Sequence, residues 1–295
     1  MKKEQRTIEE IERICSFSLT HVLKDYHGNE EREVFRKRHL LLLDCQFDGP
    51  GESPVKECHK IAALNCKINA RYAFWENKDL YVEDCSFSRL DRAPLWYVRD
   101  AKLVSCRMNS PKTLRECQNI TIEDSSLSGT ESFWQIRNFT IDNFRFRSYY
   151  PFLECHHGTI RNLHMVGKYS FQHCSDITIE DSFLDTKDAF WHSHDIIVSN
   201  CHLKGEYIAW YAKDITFRHC TIEGTQPFVC SENLAFEDCT FLPGTDRAFE
   251  RTTARGTLTK LPQSIYNPKD IDFRSEDTCP VDIDLPKSCH YKIHP

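Results

Sequence analysis

Long apolar runs are missing from this 295-residue chain, and none approaches the ~20 residues that a helix needs to cross a bilayer. The opening stretch, MKKEQRTIEE, leads into charge and not into an apolar segment, so no secretory leader is expected. Phosphate-cradling and nucleophile signatures are absent too: there is no G-x-G-x-x-G, no Walker A sequence and no G-x-S-x-G. No pair of cysteines has C-x-x-C spacing, which removes the commonest mark of a structural zinc site. Strong charge of one sign is lacking as well. The net charge is −6 with both signs interspersed, which argues against a broad nucleic-acid footprint. These absences predict a cytoplasmic protein with neither a membrane nor a nucleic acid as partner.

Cysteine is present in excess, at fifteen residues. An odd count in a long chain without an export signal argues for reduced thiols over a disulfide framework. Most of these cysteines fall into a repeat. A motif of the form apolar-x-apolar-x-(Asp/Asn)-(Cys or small)-x-apolar recurs as LLLDCQF, YVEDCSF, ITIEDSSL, FTIDNFRF, ITIEDSFL, IIVSNCHL, ITFRHCTI and LAFEDCTF. Its sixth position falls at Cys45, Cys66, Cys85, Cys106, Ser125, Phe144, Leu163, Ser182, Cys201, Cys220 and Cys239. The steps between them are 21, 19 and 21, followed by seven of 19. Within each unit the periodicity is two and the residues are rich in Ile, Val, Phe and Thr, which is strand chemistry.

A unit of 19 residues cannot hold a strand and a long helix, so it is read as one coil of short strands joined by tight bends. Stacking places equivalent residues ~4.8 Å apart in parallel register. The prediction is an all-β, right-handed parallel β-helix of about eleven coils. One inward row is the Cys ladder, since Cys is small, apolar and often fully buried. A second runs through Val55, Phe74, Leu95, Leu114, Phe133, Phe152, Phe171, Phe190, Ala209, Phe228 and Phe249, and a third contains Cys58, Val98, Cys117, Ile136, Cys155, Cys174 and Ala212. The Asp/Asn row before the Cys ladder reads as structural, because these residues tolerate the left-handed conformation and bond nearby backbone. The sequence divides into an N-terminal cap at 1–38, the β-helix at 39–253, and closing coils with an irregular tail at 254–295. Thr7 and Glu10 match a capping box ahead of Ile8, Ile11 and Ile14, so a short helix is expected to sit on the first coil.

The segments GESPVKE (51–57), SPKTLRECQNITIED (110–124), TKDAFWHSHD (186–195), GEYIAWYAKD (205–214), LAFEDCTF (234–241) and SIYNPKDIDF (264–273) resemble a bacterial family of unknown function with a pectin-lyase-like fold. The resemblance covers roughly residues 39–275. It implies the single-stranded β-helix and no established reaction.

Two variable rows follow the core Phe. All five tryptophans, Trp75, Trp96, Trp134, Trp191 and Trp210, lie in the first. The second contains Glu76, Tyr97, Glu116, Glu154, His173, His192 and Tyr211. Strict alternation would send the first row outward and the second inward; a bend near the Phe would put both on one face. A strip of Trp, Tyr and carboxylate suits sugar, because flat rings stack on pyranose faces and carboxylates accept from hydroxyls. Carboxylates two coils apart would sit ~10 Å from each other, a workable range for an inverting glycosidase. Glu116, Glu154 and Asp188 are the candidate acids.

Glu154, His173 and His192 occupy successive levels, but in a line the outer two are ~10 Å apart, too far to share an ion. Cys279, Cys289, His290 and His294 in the tail lack metal-ligand spacing. No metal and no cofactor are expected. The paired-Asp cluster with a Gly-His-Gly loop and the Arg-x-Pro-x-x-Arg motif of pectin-cleaving β-helices are absent. Three functions are therefore open: a carbohydrate-binding β-helix, which ranks first, a carbohydrate-active hydrolase or lyase, and a non-catalytic scaffold for protein partners.

Overall fold

A computed structural model describes residues 6–279, 281–286 and 289–295. The chain forms an all-β parallel β-solenoid of about fourteen turns with one short helix near its start. It divides into two compact units, one ending at Thr140 and the other beginning at Ile141.

In the first unit, strand Arg99–Val104 pairs in parallel with Lys78–Glu83 on one side and Gln118–Ser128 on the other, Ala101 standing opposite both Leu80 and Ile120. In the second, Ser175–Glu180 lies between His156–Lys168 and His194–Ser199, with Ile177 opposite Gly158 and Ile196. Successive rungs are thus held 19 or 21 residues apart, the spacings read in the sequence. Pairing begins earlier and ends later than the predicted eleven coils. His21–Lys24 already pairs with Leu40–Leu43, and Thr253–Lys260, Asp270–Arg274 and His290–His294 continue the ladder. The extra turns escape the sequence count because the Cys position becomes Leu258 and the later rungs depart from the 19-residue step.

All three inward rows are buried, and none of the fifteen cysteines is disulfide-bonded. The Cys rows also satisfy backbone. Cys66 Sγ donates to Leu64 O and Leu42 O, one carbonyl on its own corner and one on the coil below, and Cys201 and Cys220 repeat the pattern. Where serine replaces cysteine, Ser125 Oγ donates to Glu123 O and accepts from the Cys106 amide. A small side chain with a donor satisfies backbone carbonyls at this corner, while buried Phe144 and Leu163 fill the same position in the middle of the ladder by packing alone.

The helix Ile8–Cys15 has the expected capping box, Glu10 N donating to Thr7 Oγ1 and Thr7 N to Glu10. It lies across the outside of several rungs and not over the first coil alone. Ile11 packs with Leu41, Ala62 and Tyr81, outward residues of three successive strands, and Arg6 pairs with Glu83. The first coils expose apolar side chains outward, and the helix covers them.

Candidate functional site

The bend after the core Phe decides which way the two variable rows face. Tyr169, Phe171 and His173 all have φ between +54° and +58°, and Asp188, Phe190 and His192 repeat this one coil later. Left-handed backbone at alternate residues breaks the in–out alternation of a strand. Such conformations cost roughly 1–2 kcal/mol each for non-glycine residues. Coil-to-coil hydrogen bonds offset the cost: His173 N donates to Trp191 O at 2.9 Å, His192 N to Trp210 O at 3.1 Å and Tyr211 N to Val229 O at 3.0 Å. As a result both rows face outward. The tryptophans are half-buried, while Glu76, Tyr97, Glu116, Glu154, His173, His192 and Tyr211 are exposed.

The rows differ between the units. In the first, the rings are tilted, with Trp75 and Trp96 at 4.8 Å and 49° and Tyr97 edge-on to both. The Arg115 guanidinium lies 3.9 Å from the Trp134 ring centroid and 5.5 Å from that of Trp96, and it donates to Glu131 at 2.8 Å. Cation–π contact and ion pair together hold it in place.

In the second unit the rings are nearly parallel tiles piled along the axis. His173 stacks on His192 at 5.3 Å and 9°, His192 on Tyr211 at 5.2 Å and 10°, and Trp191 on Trp210 at 5.9 Å and 19°. Trp210 and Tyr211 lie side by side within 16° of one plane, with Tyr207 close to Trp210. Within such a column each ring covers the face of the next, and only the end of the pile can offer a face. Of the two ends, His173 and Tyr211, the one beside a cleft is Tyr211. The next residue of its row is Cys230, too small to cover a phenol ring, and Tyr211 is 48% exposed.

Tyr211 forms one wall of a cleft of about 660 Å³ that is also lined by Cys230, Glu232, Arg251, Asn267, Lys269, Pro286 and Cys289. Lys269 and Glu232 pair at 3.7 Å, and among the described residues the Arg251 guanidinium has no carboxylate partner. The sequence reading follows the row as far as Cys230 and stops. Arg251 lies 21 residues further on, not 19, so the regular period steps past it.

The three candidate acids do not share an environment. Glu116 and Glu154 are exposed, while Asp188 is only 6% exposed. Burial pushes its carboxyl up, Lys187 opposes that shift and Glu206 adds to it. Burial also holds His192 below the ordinary imidazole range, and the neighbouring His173 adds to the effect. Among the described residues no three His, Cys, Asp or Glu side chains converge as a metal site, in the His row or in the tail. Nor is any described helix long and apolar enough to cross a membrane.

Residues 21–294 match the family described as Protein of unknown function, DUF3737. No curated protein matches the sequence. Among solved structures, a tailspike protein mutant of Escherichia coli bacteriophage HK620 in complex with a hexasaccharide is similar at 9% identity and a TM-score of 0.51, covering 97% of this chain and 73% of that one. A double mutant of the same tailspike with a pentasaccharide aligns at 10% identity and a TM-score of 0.51, covering 97% and 74%. At such identities the likeness is one of fold.

Proposed function

We propose that this chain, which belongs to the DUF3737 family, is a carbohydrate-binding β-solenoid whose main sugar platform is the open ring face of Tyr211. The observation that carries the proposal is the end of the aromatic column. His192 covers one face of Tyr211, and a cleft of about 660 Å³ adjoins the ring at the level of Cys230. A pyranose laid on that face would present its hydroxyls to Arg251, Asn267 and the Glu232–Lys269 pair, the amphipathic surroundings that saccharides need. The stacked tiles behind it, Trp191, Trp210, His192 and His173, hold the platform rigid and extend an edge-on track for further sugar units. The tailspikes that share the fold carry a hexasaccharide and a pentasaccharide, which supports a solenoid face as a place for sugar to lie.

Binding is favoured over cleavage. Glycoside hydrolysis uses two carboxyl groups flanking one bond. Among the described residues that line the cleft, Glu232 is the one carboxylate, and it is paired with Lys269. Asp188, the candidate acid with a raised carboxyl, is buried in the wall of the coil. Glycan-array binding by the intact protein tests the proposal. Tyr211→Ala is expected to lose at least tenfold in affinity, Trp210→Ala and Trp191→Ala less, and Tyr211→Phe almost nothing. Silence across a broad array, or full binding by Tyr211→Ala, would overturn it.

A further inference from the structure

Two coils of the first unit run to 21 residues where the others of the central repeat run to 19. The strand registers locate the surplus. Phe47 to Val55 spans eight residues where the aligned Ile68 to Phe74 spans six, and Phe87 to Leu95 spans eight where Met108 to Leu114 spans six. Both insertions therefore fall at the same corner, two coils apart. Between them, over Asn69 and Ala70 of the shorter coil, lies a groove of about 740 Å³.

The two walls carry opposite chemistry. On the first wall every acid is engaged. Asp48 accepts from Asn69 Nδ2 at 2.6 Å and Gln46 Nε2 at 2.8 Å and pairs with His27, and Glu52 faces Arg71 at 3.5 Å. This wall is fixed against the preceding coil: the Gly51 amide donates to Asn29 O at 3.0 Å, and a Cβ at Gly51 would stand 2.3 Å from the Glu30 backbone. On the second wall the cations are largely uncompensated. Among the described residues Arg89 reaches only Asn109 Oδ1, at 3.4 Å, and the Arg92 guanidinium has no partner. Leu90 stands between them, 68% exposed.

The acid of this second loop is turned away. Asp91 is fully buried, and neither of its carboxyl oxygens has a partner in hydrogen-bonding geometry. Burial pushes that carboxyl well above the ordinary carboxylate range, against a smaller opposing pull from the Ala73 backbone. Turned inward and with neither oxygen engaged, Asp91 forms no ion pair with its flanking arginines.

We propose that this groove is an anion-binding site in which Arg89 and Arg92 grip the carboxylate or phosphate of a small ligand while Leu90 and Pro111 line its apolar side. Guanidinium forks match the planar oxygens of a carboxylate or the face of a phosphate, and their weak hydration keeps the cost of desolvation low. The site uses residues of the first unit alone. It is independent of the Tyr211 cleft, so either can fail without the other.

The test follows backbone amide shifts of the whole protein titrated separately with glucuronate, with inorganic phosphate and with glucose. Glucuronate, phosphate or both are expected to shift amides of residues 48–52 and 89–92, and glucose is not. Whichever anion binds more tightly identifies the group recognised. Arg89→Gln/Arg92→Gln is expected to weaken binding at least tenfold, with an unchanged circular dichroism spectrum showing that the coil is intact. Asp91→Asn, which keeps the shape of the buried side chain and cannot carry a charge, is expected to bind as the parent does. No shift with either anion, equal shifts with glucose, undiminished binding by the double Gln variant, or markedly tighter binding by Asp91→Asn would each overturn the proposal.

Discussion

The Phe171 ring lies on the Phe152 ring with 4.5 Å between centroids and 3° between planes, and Phe190 follows at 5.3 Å and 18°. All three are fully buried. Side chains nineteen positions apart in this unit therefore occupy one column, and removing a ring takes support from both neighbours. Phe171→Ala is expected to cost about 3–5 kcal/mol and Phe171→Leu about 1–1.5 kcal/mol. Urea denaturation read by circular dichroism measures both. A cost below about 1 kcal/mol for the Ala variant would mean that the column is not the core.

The buried Asp91 makes stability depend on pH with a defined sign. Its folded carboxyl is raised by burial, so the native state keeps a proton that the unfolded chain gives up above pH ~4. The contribution is whole below the unfolded value and is lost as pH rises toward the folded one. The slope in that window is about 1.4 kcal/mol per pH unit. Asp91→Asn removes the slope. Its thermal midpoint is expected to exceed that of the parent by more at pH 8 than at pH 5, and equal gains at both would contradict the assignment.

His192 acts in the opposite direction. Burial and the charge of His173 hold its folded pKa below the ordinary 6.5, so the unfolded chain binds the proton first on acidification. Stability from this position is present above pH ~6.5 and is lost as pH falls toward the folded value. His192→Gln is expected to flatten the melting-temperature profile between pH 7 and 5. A profile of unchanged steepness would show that the stacked pair does not titrate in this way.

Thiol chemistry separates the ladders from the surface. Eleven of the fifteen cysteines are buried, and Cys15, Cys230, Cys279 and Cys289 are not. Burial pushes the thiols of Cys58 and Cys201 up to about 11 and that of Cys106 to about 12, so they stay protonated as well as covered. Titration with a chromogenic disulfide should find at most four thiols in the native protein, the exposed Cys279 first, and fifteen after denaturation.

The coil was legible because its ladders are chemical. Cys45, Cys66 and Cys85 recur where a corner needs a small donor, and Phe152, Phe171 and Phe190 recur where it needs bulk. The number of coils was less legible, since Leu258 keeps the spacing and loses the cysteine, and the strands after it keep the pairing and lose the spacing. The facing of the Trp row could not be read, because it depends on positive φ at residues such as Phe190 and His192, to which alternation is blind. Tyr211 was recognised as part of the strip, but its special position follows from the smallness of Cys230 and from Arg251, which stands off the period. The two 21-residue steps were visible from the start, and only the register of Phe47 to Val55 and Phe87 to Leu95 brings them to one groove.

The open face of Tyr211 is tested most directly by saturation-transfer NMR on the saccharide that gives the strongest array signal. Saturating the aromatic protons of the protein is expected to pass to the axial C–H protons on one face of a single pyranose ring, and to vanish from that ring in Tyr211→Ala while persisting in Tyr211→Phe. Saturation spread evenly over the sugar, or unchanged in Tyr211→Ala, would contradict the account.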